Sequence, residues 1–175
     1  MKKEIEIPDG IEGEVEGEMV KLKKGDEKVK KKFKHPLVDV SMDGNKLVIR
    51  GKKDNKKVKS VVQTFESKVK NAISGLEENY EYKLKIVYRH FPMDVKAGDG
   101  YVEVTNFVGE KSKRTAKILE DVDVGVKDEE IIVRGPDKEK VGQTAANIEQ
   151  KIQAPSTRDR RVFEDGIYIV EKPKR

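Results

Sequence analysis

The sequence predicts an α+β fold made of two tandem copies of a small antiparallel sheet, each packed against one helix. Short runs of β-branched apolar residues are separated by turn residues, and two of these runs lead into a helical apolar stripe. Residues 40–51 match residues 124–135 at a constant offset of 84, the difference between 124 and 40. A long period with only two copies indicates two similar domains, because a solenoid needs three or more repeats.

The strand–turn–helix unit is clearest at residues 130–152. It begins as a strand, because residues 131–133 are an unbroken run of β-branched side chains. Gly135 and Pro136 end that strand, and Asp137 follows at a helix N-cap position, where its carboxylate can accept unpaired backbone N–H groups. The predicted helix then carries one apolar stripe at helical spacing: Val141, Ala145, Ile148 and Ile152.

The first copy shows the same order of elements. Residues 38–40 and 46–50 predict a hairpin around the turn at residues 43–45, and residues 56–74 predict a helix that ends at Gly75. After one deletion the two copies align at these pairs: Arg50 with Arg134, Gly51 with Gly135, Val58 with Val141, Val62 with Ala145, Phe65 with Ile148 and Val69 with Ile152.

The N-terminal part of the chain is strongly charged. Residues 1–18 carry seven acidic side chains between isoleucines and a valine, which predicts an edge strand or a strap. Residues 19–24 and 29–34 predict two further strands, and the second of these lies in a cluster of five lysines. Such a cluster is either a solvated face that guards a sheet edge or the electrostatic footprint of a nucleic-acid contact.

The boundary between the copies falls in the strand predicted at residues 80–88. This gives a first domain at residues 1–83, with the acidic N-terminal segment, and a second at residues 84–175, with a basic C-terminal tail. Further strands of the second domain are predicted at residues 101–108, 114–119 and 122–126.

The C-terminal tail has no counterpart in the first copy. Pro155 follows the helix, and the next residues carry Arg158, Arg160 and Arg161 within a stretch of four. We expect the tail, including residues 163–172 and the basic end Lys174-Arg175, to contribute little to a core. Arginine pairs with phosphate in a bidentate manner, so the tail is either a phosphate-binding segment or a frayed terminus with solvated arginines.

The start of the second helix has two interpretations. Lys138 and Lys140 stand in its first turn, beside backbone N–H groups that favour anions. Gly142 leaves a low surface one turn further on, which would let another backbone approach closely. The alternative is two solvated lysines and a glycine that packs on the sheet.

Composition and motifs argue against an enzyme. The chain has no cysteine, and 41% of its residues are charged against 35% hydrophobic. No apolar run approaches the roughly 20 residues of a membrane span, and the acidic N-terminus is unlike a signal peptide, so we expect a cytoplasmic protein. His35 and His90 have no recurring carboxylate spacing around them, and no phosphate loop, nucleophile elbow or metal-ligand cluster is present. We therefore expect no catalysis, cofactor or metal.

Residues 135–148, GPDKEKVGQTAANI in one-letter code, resemble the signature of the sixth protein of the large ribosomal subunit, where a Gly-x-Asp-Lys-x-x-Val-Gly-Gln-x-Ala-Ala pattern recurs. Residues 33–36, the two-copy architecture and the strand that runs into the second domain are also similar to this family. The tail at residues 163–168 resembles its archaeal and eukaryotic branch rather than the bacterial one.

The resemblance implies a structural role in the cytoplasmic ribosome. It implies binding to large-subunit ribosomal RNA near the sarcin–ricin region, beside the stalk base where translation factors dock. The implied partners are that RNA and neighbouring large-subunit ribosomal proteins, with no membrane and no small-molecule substrate. Family RNA contacts concentrate in the second domain, and the tail arginines match the family only in region and charge. The expected RNA-binding residues are Gly135, Asp137, Lys138, Lys140, Gly142, Gln143, Arg158, Arg160 and Arg161.

Two other functions remain open on sequence grounds. A DNA-binding protein can also consist of two sheet–helix repeats, but it would need exposed wedge phenylalanines on its sheet, and the five phenylalanines show no paired spacing across the repeat. A protein–protein adaptor would use an exposed sheet edge or an apolar patch. An adaptor would bind with weak salt dependence, whereas an RNA-binding protein would be released steeply by salt.

Overall fold

The fold divides into two units, Met1–Asn79 and Tyr80–Arg175. The structure, a computed structural model, describes residues 1–155 and 157–173, so the predicted basic end at Lys174 and Arg175 lies outside the described residues. The predicted α+β class is confirmed, because antiparallel sheets and α-helices make up both units.

The first unit contains two antiparallel sheets and a long helix. Its elements are β1 (Lys2–Glu6), β2 (Glu12–Glu16), β3 (Met19–Lys24), β4 (Glu27–Lys32), β5 (Val38–Asp43), β6 (Lys46–Gly51) and α1 (Lys56–Glu77). The strand orders are β1-β6-β5 and β2-β3-β4. The acidic segment therefore supplies two strands, and β1 is an edge strand that buries Ile5.

Helix α1 begins where a polar side chain can cap it and ends later than predicted. Asn55 Oδ1 accepts a hydrogen bond from Val58 N at 2.8 Å, which satisfies one N–H group of the first turn. The predicted stop at Gly75 is wrong, because α1 continues through Glu77. The added turn places Leu76 in the core with 2% of its surface exposed, and this burial favours helix over an early stop.

The second unit repeats this plan and adds a strand. Its elements are β7 (Tyr80–Val87), β8 (Asp94–Ala97), β9 (Tyr101–Thr105), a 3₁₀ turn (Phe107–Gly109), β10 (Arg114–Lys117), β11 (Asp123–Lys127), β12 (Glu130–Gly135), α2 (Lys138–Lys151) and β13 (Gly166–Glu171). The strand orders are β11-β12-β7-β13 and β10-β9-β8.

The duplication extends to strand order and register. The order β5-β6-β1 of the first unit corresponds to β11-β12-β7 of the second. Asp39 lies opposite Arg50 across the first hairpin, and Asp123 lies opposite Arg134 across the second, at the same offset of 84. The units separate between Asn79 and Tyr80, ahead of β7, whereas the predicted boundary after residue 83 falls inside that strand. The division into domains at residues 1–83 and 84–175 stays a prediction.

The tail takes part in the fold, contrary to expectation. Strand β13 pairs antiparallel with β7, and its Ile167 is fully buried. The prediction that residues 163–172 contribute little to a core is therefore wrong. The alternation of Ile167 and Ile169 toward the core suits the edge of β7 that β12 leaves open.

The strand predicted at residues 101–108 is too long, since Asn106 and Val108 have left-handed backbone angles that end β9 at Thr105.

Each unit buries its helix stripe against its own sheets. In the first unit the stripe of Val58, Val62 and Val69 is almost fully buried, and in the second unit Val141 and the rest of the predicted stripe are fully buried. The aligned sequence positions therefore have the same role in both cores.

Among the described residues, no helix combines the length and the apolar character that crossing a bilayer requires.

The contact between β12 and α2 gives a stability prediction. A Cβ atom at Gly135 would lie 2.8 Å from the Asp121 carbonyl oxygen and 3.0 Å from Val141 Cγ2, so Gly135→Ala forces packed atoms apart. We expect it to lower the free energy of unfolding by about 1–3 kcal/mol. Gly125→Ala is the matched control, because no atom lies within 4 Å of its added methyl group, and its effect should stay within about 0.5 kcal/mol.

Urea unfolding of the intact chain, followed by tyrosine fluorescence, measures both variants. The chain has no tryptophan, and its five tyrosines all lie in the second unit: Tyr80, Tyr82, Tyr88, Tyr101 and Tyr168. The signal therefore reports on the unit that carries the substitutions. Equal unfolding midpoints for the two variants would show that the approach of α2 to β12 is not tight.

Candidate nucleic-acid interface

Helix α2 begins at a built-in cap. Asp137 Oδ1 accepts hydrogen bonds from Glu139 N at 2.9 Å and Lys140 N at 3.4 Å, and the residue is only 4% exposed. Gly135 is also buried, directly before the cap. These two residues hold the start of α2 and present almost no surface in the free chain, and direct RNA contact at them stays a prediction. The carboxylate also occupies N–H groups that a phosphate would otherwise use.

The two lysines of the first turn are half-buried and have partners. Lys138 Nζ lies 5.7 Å from the centre of the Tyr80 ring, within reach of a cation–π contact. Lys140 Nζ donates to Asp121 Oδ2 at 3.2 Å. The charge of Lys140 is therefore partly compensated within the protein, and a phosphate would have to compete with Asp121 for it.

Gly142 packs on the sheet. A Cβ atom there would lie 3.2 Å from the Tyr82 hydroxyl oxygen, so the glycine makes room for this side chain of β7. Gly142 is half-buried, while Gln143 beside it is exposed. The structure thus favours the packing alternative for the glycine and leaves the amide of Gln143 at the surface.

A row of amides runs along α2 from Gln143. Gln143 Nε2 donates to Asn147 Oδ1 at 2.9 Å, and Asn147 Nδ2 donates to the Lys117 carbonyl oxygen at 3.3 Å. Gln150 and Lys151 continue the same face, at seven and eight residues from Gln143. We call the set Gln143, Asn147, Gln150 and Lys151 the amide ridge. An open cavity of about 440 Å³ lies along it, lined by Lys117, Asn147, Gln150 and Lys151.

Lys117 and most of the amide ridge are not among the residues predicted from the sequence. Amides donate and accept hydrogen bonds, and the two lysines add positive charge, so this surface can bind phosphates and hydroxyl groups. A signal was available for the helical residues, because they share the polar face of α2 with Gln143 at helical spacing. None was available for Lys117, which reaches the ridge through tertiary packing of β10 on α2.

The tail arginines lie in an anchored loop. The guanidinium of Arg158 lies 5.0 Å from the centre of the Phe163 ring, and that ring lies 5.0 Å from the ring of His90. The carboxylate of Asp165, whose side chain is fully buried, accepts hydrogen bonds from Arg89 N at 3.2 Å and His90 N at 3.4 Å. The alternative of a frayed terminus is therefore wrong for residues 157–165.

The three arginines of this loop differ in how their charge is balanced. Arg161 donates from Nε and Nη2 to the two carboxylate oxygens of Asp159, at 3.1 and 3.0 Å. Arg160 is exposed, and within the described part of the chain neither it nor Arg158 forms an ion pair. Arg160 therefore presents the least compensated charge of the loop.

Arg114 holds the far end of α2, a role that sequence reasoning did not find. Its Nη1 donates to the carbonyl oxygens of Lys151 and Gln153, each at 2.9 Å, and its Nε and Nη2 bind the carboxylate of Glu110 at 2.8 and 2.6 Å. The hydrogen bonds from Arg114 hold the pKa of the Glu110 carboxyl below its usual range. Arg114 thus satisfies helix-terminal carbonyls and fixes the start of the tail.

The predicted site residues form two groups rather than one. Lys138, Lys140 and Gln143 lie at the start of α2, and the loop at residues 157–165, which we call the arginine loop, follows its end. A helix of 14 residues is about 21 Å long. The amide ridge connects the two groups along the helix.

The lysine cluster of the first unit lies on β4, at one edge of its sheet. Lys28, Lys30 and Lys32 project from the same face, and Lys32 is 3.9 Å from a carboxylate oxygen of Glu18. The neighbouring Lys21 is balanced by acids of β2. The edge-guard and nucleic-acid interpretations both stay predictions for this cluster.

These features define a duplicated α+β protein whose distinctive chemistry is a surface of amides and cations along a helix. Among the described residues, no three His, Asp or Glu side chains are grouped so as to hold a metal ion. A surface of this type suits binding of a polyanion.

Comparison with known proteins gives the family. A model described as Ribosomal protein L6 matches residues 91–166. The large ribosomal subunit protein uL6 of Methanococcus vannielii is 45% identical over 172 residues, 98% of this chain and 94% of that protein. The protein of the same name from Halobacterium salinarum is 45% identical over 170 residues, which are 97% of this chain and 95% of that protein. The protein of the same name from Saccharolobus solfataricus is 43% identical over 173 residues, which are 98% of this chain and 95% of that protein. The chain belongs to the ribosomal protein L6 family, as predicted.

The buried Asp165 carboxylate gives a pH prediction. Burial raises its pKa, but the hydrogen bonds from Arg89 N, the His90 ring and His90 N outweigh burial and leave the pKa below its usual range. Because the pKa of this carboxyl is lower in the folded chain than the value of about 3.9 in the unfolded chain, the carboxylate stabilises the fold at pH values above about 3.9. This stabilisation is lost as the pH falls through the pKa of the folded chain. Asp165→Asn should therefore lower the free energy of unfolding by about 1–3 kcal/mol at neutral pH.

The deficit of Asp165→Asn should shrink as the pH falls below about 4 and disappear below the folded pKa, because the wild-type carboxyl becomes protonated first in the unfolded chain and then, at lower pH, in the folded one. Urea unfolding of the intact chain at several pH values, read by tyrosine fluorescence, measures the difference. Asp159→Asn is the control, since that carboxylate is paired at the surface with Arg161, and it should have the smaller effect at every pH. A deficit of Asp165→Asn that stays constant in acid would contradict this account of the loop.

Proposed function

We propose that this chain is a structural, non-enzymatic component of the large ribosomal subunit and that its second unit binds large-subunit ribosomal RNA. The observation that carries the proposal is identity of 40–45% with proteins named large ribosomal subunit protein uL6, over nearly the whole length of both chains. Its site of action is then the cytoplasmic ribosome, and its partners are ribosomal RNA and other ribosomal proteins.

The mechanism of binding is electrostatic neutralisation combined with directional hydrogen bonds. Lysines and arginines that neutralise phosphates release counterions, which supplies affinity that falls as salt rises. The amides of Gln143, Asn147 and Gln150 can bind 2′-hydroxyl groups and base edges in the wide, shallow groove of an RNA helix. Because α2 is packed on the sheet and held at both ends, these groups are presented in a fixed arrangement.

The proposed RNA surface has three parts along α2. Lys138, Lys140, Gly142 and Gln143 lie at the start of the helix, the rest of the amide ridge follows with Lys117, and the arginine loop lies beyond the end. Gly135 and Asp137 belong to the surface only as supports of the helix start. Arg160 is the strongest candidate for a phosphate contact, because its charge is exposed and unbalanced in the described structure.

We further propose that the bound RNA lies near the sarcin–ricin region and the stalk base, so that the protein supports the site where translation factors dock. The similarity of residues 135–148 to the family signature supports this placement. The duplicated DNA-binding alternative is weakened, since Phe33 and Phe107 are buried and Phe91 alone among the phenylalanines is markedly exposed within the described residues.

A pair of neighbouring arginines tests the proposed function. Arg160→Gln should weaken binding of an in vitro transcribed large-subunit RNA fragment and reduce the salt dependence of binding by about one counterion. Arg161→Gln is the matched control, because Asp159 already balances that charge, and its effect should be smaller. Filter-binding titrations over a range of salt concentrations give both the affinity and the slope.

Wild-type chain that fails to bind the RNA at low salt would contradict the proposed function itself. Equal losses for the two arginine variants would contradict only the assignment of Arg160. A urea unfolding midpoint equal to that of wild type in both variants would show that the substitutions act on binding and not on folding.

A further inference from the structure

A second cavity lies in the same unit, outside the proposed RNA surface. It has a volume of about 340 Å³ and opens between the end of β7, the start of β8 and the turn that joins β11 to β12. None of its lining residues belongs to α2, β10 or the arginine loop. We call it the acid-rimmed groove.

The floor of the groove is apolar. Ile86 and Met93 are buried beneath it, and Val95 and Val126 are partly buried at its sides. Tyr88 forms one wall and leaves 43% of its surface exposed. An apolar depression with an exposed aromatic wall is the kind of surface that binds a side chain of another molecule.

The rim of the groove is acidic. Asp94, Asp128 and Glu129 stand around the opening, and Asp94 Oδ2 lies 3.3 Å from Lys96 Nζ. Within the described part of the chain, the carboxylates of Asp128 and Glu129 form no ion pair. The turn that carries them is tight, with Asp128 at a φ of 51°. The two carboxylates at the opening that are unpaired in the described structure repel phosphate, although the whole chain has a net charge of +5.

We propose that the acid-rimmed groove binds a basic segment of a neighbouring protein. An aliphatic side chain of the segment fills the apolar floor, and the lysines or arginines on either side of it pair with the carboxylates of the rim. A guanidinium can also stack on the exposed face of Tyr88. The volume suits one or two side chains rather than a folded domain, so the segment is extended where it binds. This inference goes beyond RNA binding and does not depend on it.

Charge complementarity favours a basic segment over RNA, an acidic peptide or an apolar peptide in the groove. RNA would bring phosphates against the carboxylates of Asp128 and Glu129, which are unpaired among the described residues, and an acidic peptide would bring its own carboxylates against them. A purely apolar peptide would leave Asp128 and Glu129 at the border of a desolvated contact without partners. A basic segment with an aliphatic centre satisfies both the floor and the rim.

The test uses a fluorescently labelled peptide with the sequence Gly-Arg-Leu-Arg-Gly-Lys, titrated with the intact chain and followed by anisotropy. The double variant Asp128→Asn, Glu129→Gln removes the rim charge and keeps the shape, and asparagine tolerates the positive φ of position 128. The control double variant Asp99→Asn, Glu120→Gln changes net charge by the same amount at exposed sites outside the groove.

We expect the groove variant to bind the peptide about tenfold more weakly than wild type, and the control variant to bind as wild type does. A peptide with glycine in place of leucine should also bind more weakly, because it leaves the floor empty. No binding of the leucine peptide, or equal affinity for both double variants, would overturn the proposal. The groove variant should bind the ribosomal RNA fragment as wild type does; a loss there would assign the groove to RNA instead.

Discussion

The close packing of α2 on β12 is the constraint on which the rest of the second unit depends. Gly135 lets the helix start approach the strand, and Asp137 caps the first turn directly afterwards. The apolar stripe then lies fully buried, which fixes the rotation of the helix about its own axis. With the rotation fixed, the amides of Gln143, Asn147 and Gln150 must face outward together. The arrangement of the proposed RNA surface is therefore a consequence of how the opposite face of the helix is buried.

The far end of α2 depends on charged groups that are held inside the protein. Arg114 binds carbonyl groups at the end of the helix. The carboxylate of Asp165, which follows the arginines, accepts hydrogen bonds from the backbone and the ring of His90. Strand β13 then returns the chain to the edge of β7. These contacts turn a segment with no counterpart in the first unit into part of the core. They also hold the arginines of residues 158–161 in place for the phosphate contact that we propose.

Most of the architecture was predictable because its signals are local. Apolar periodicity marked both helix stripes, and Asp137 marked the start of α2, since a cap acts within three residues. The missed features join distant parts of the chain. His90 and Asp165 are 75 residues apart, and Arg114 reaches carbonyl groups 37 and 39 residues away. Helix α1 continues past Gly75 because burial of Leu76 outweighs a local stop signal. The burial of Gly135 and Asp137 depends on the tight turn between β12 and α2, which packs them inside the protein.

Residue-resolved lysine acetylation of the intact chain, free and bound to the ribosomal RNA fragment, tests the central claim most directly. Mass spectrometry gives the extent of modification at each lysine. If RNA lies along α2, binding should protect Lys117, Lys138 and Lys151 and leave Lys59 and Lys70 on α1 as reactive as in the free chain. Protection confined to the first unit, or equal reactivity of Lys117 and Lys151 with and without RNA, would contradict the claim.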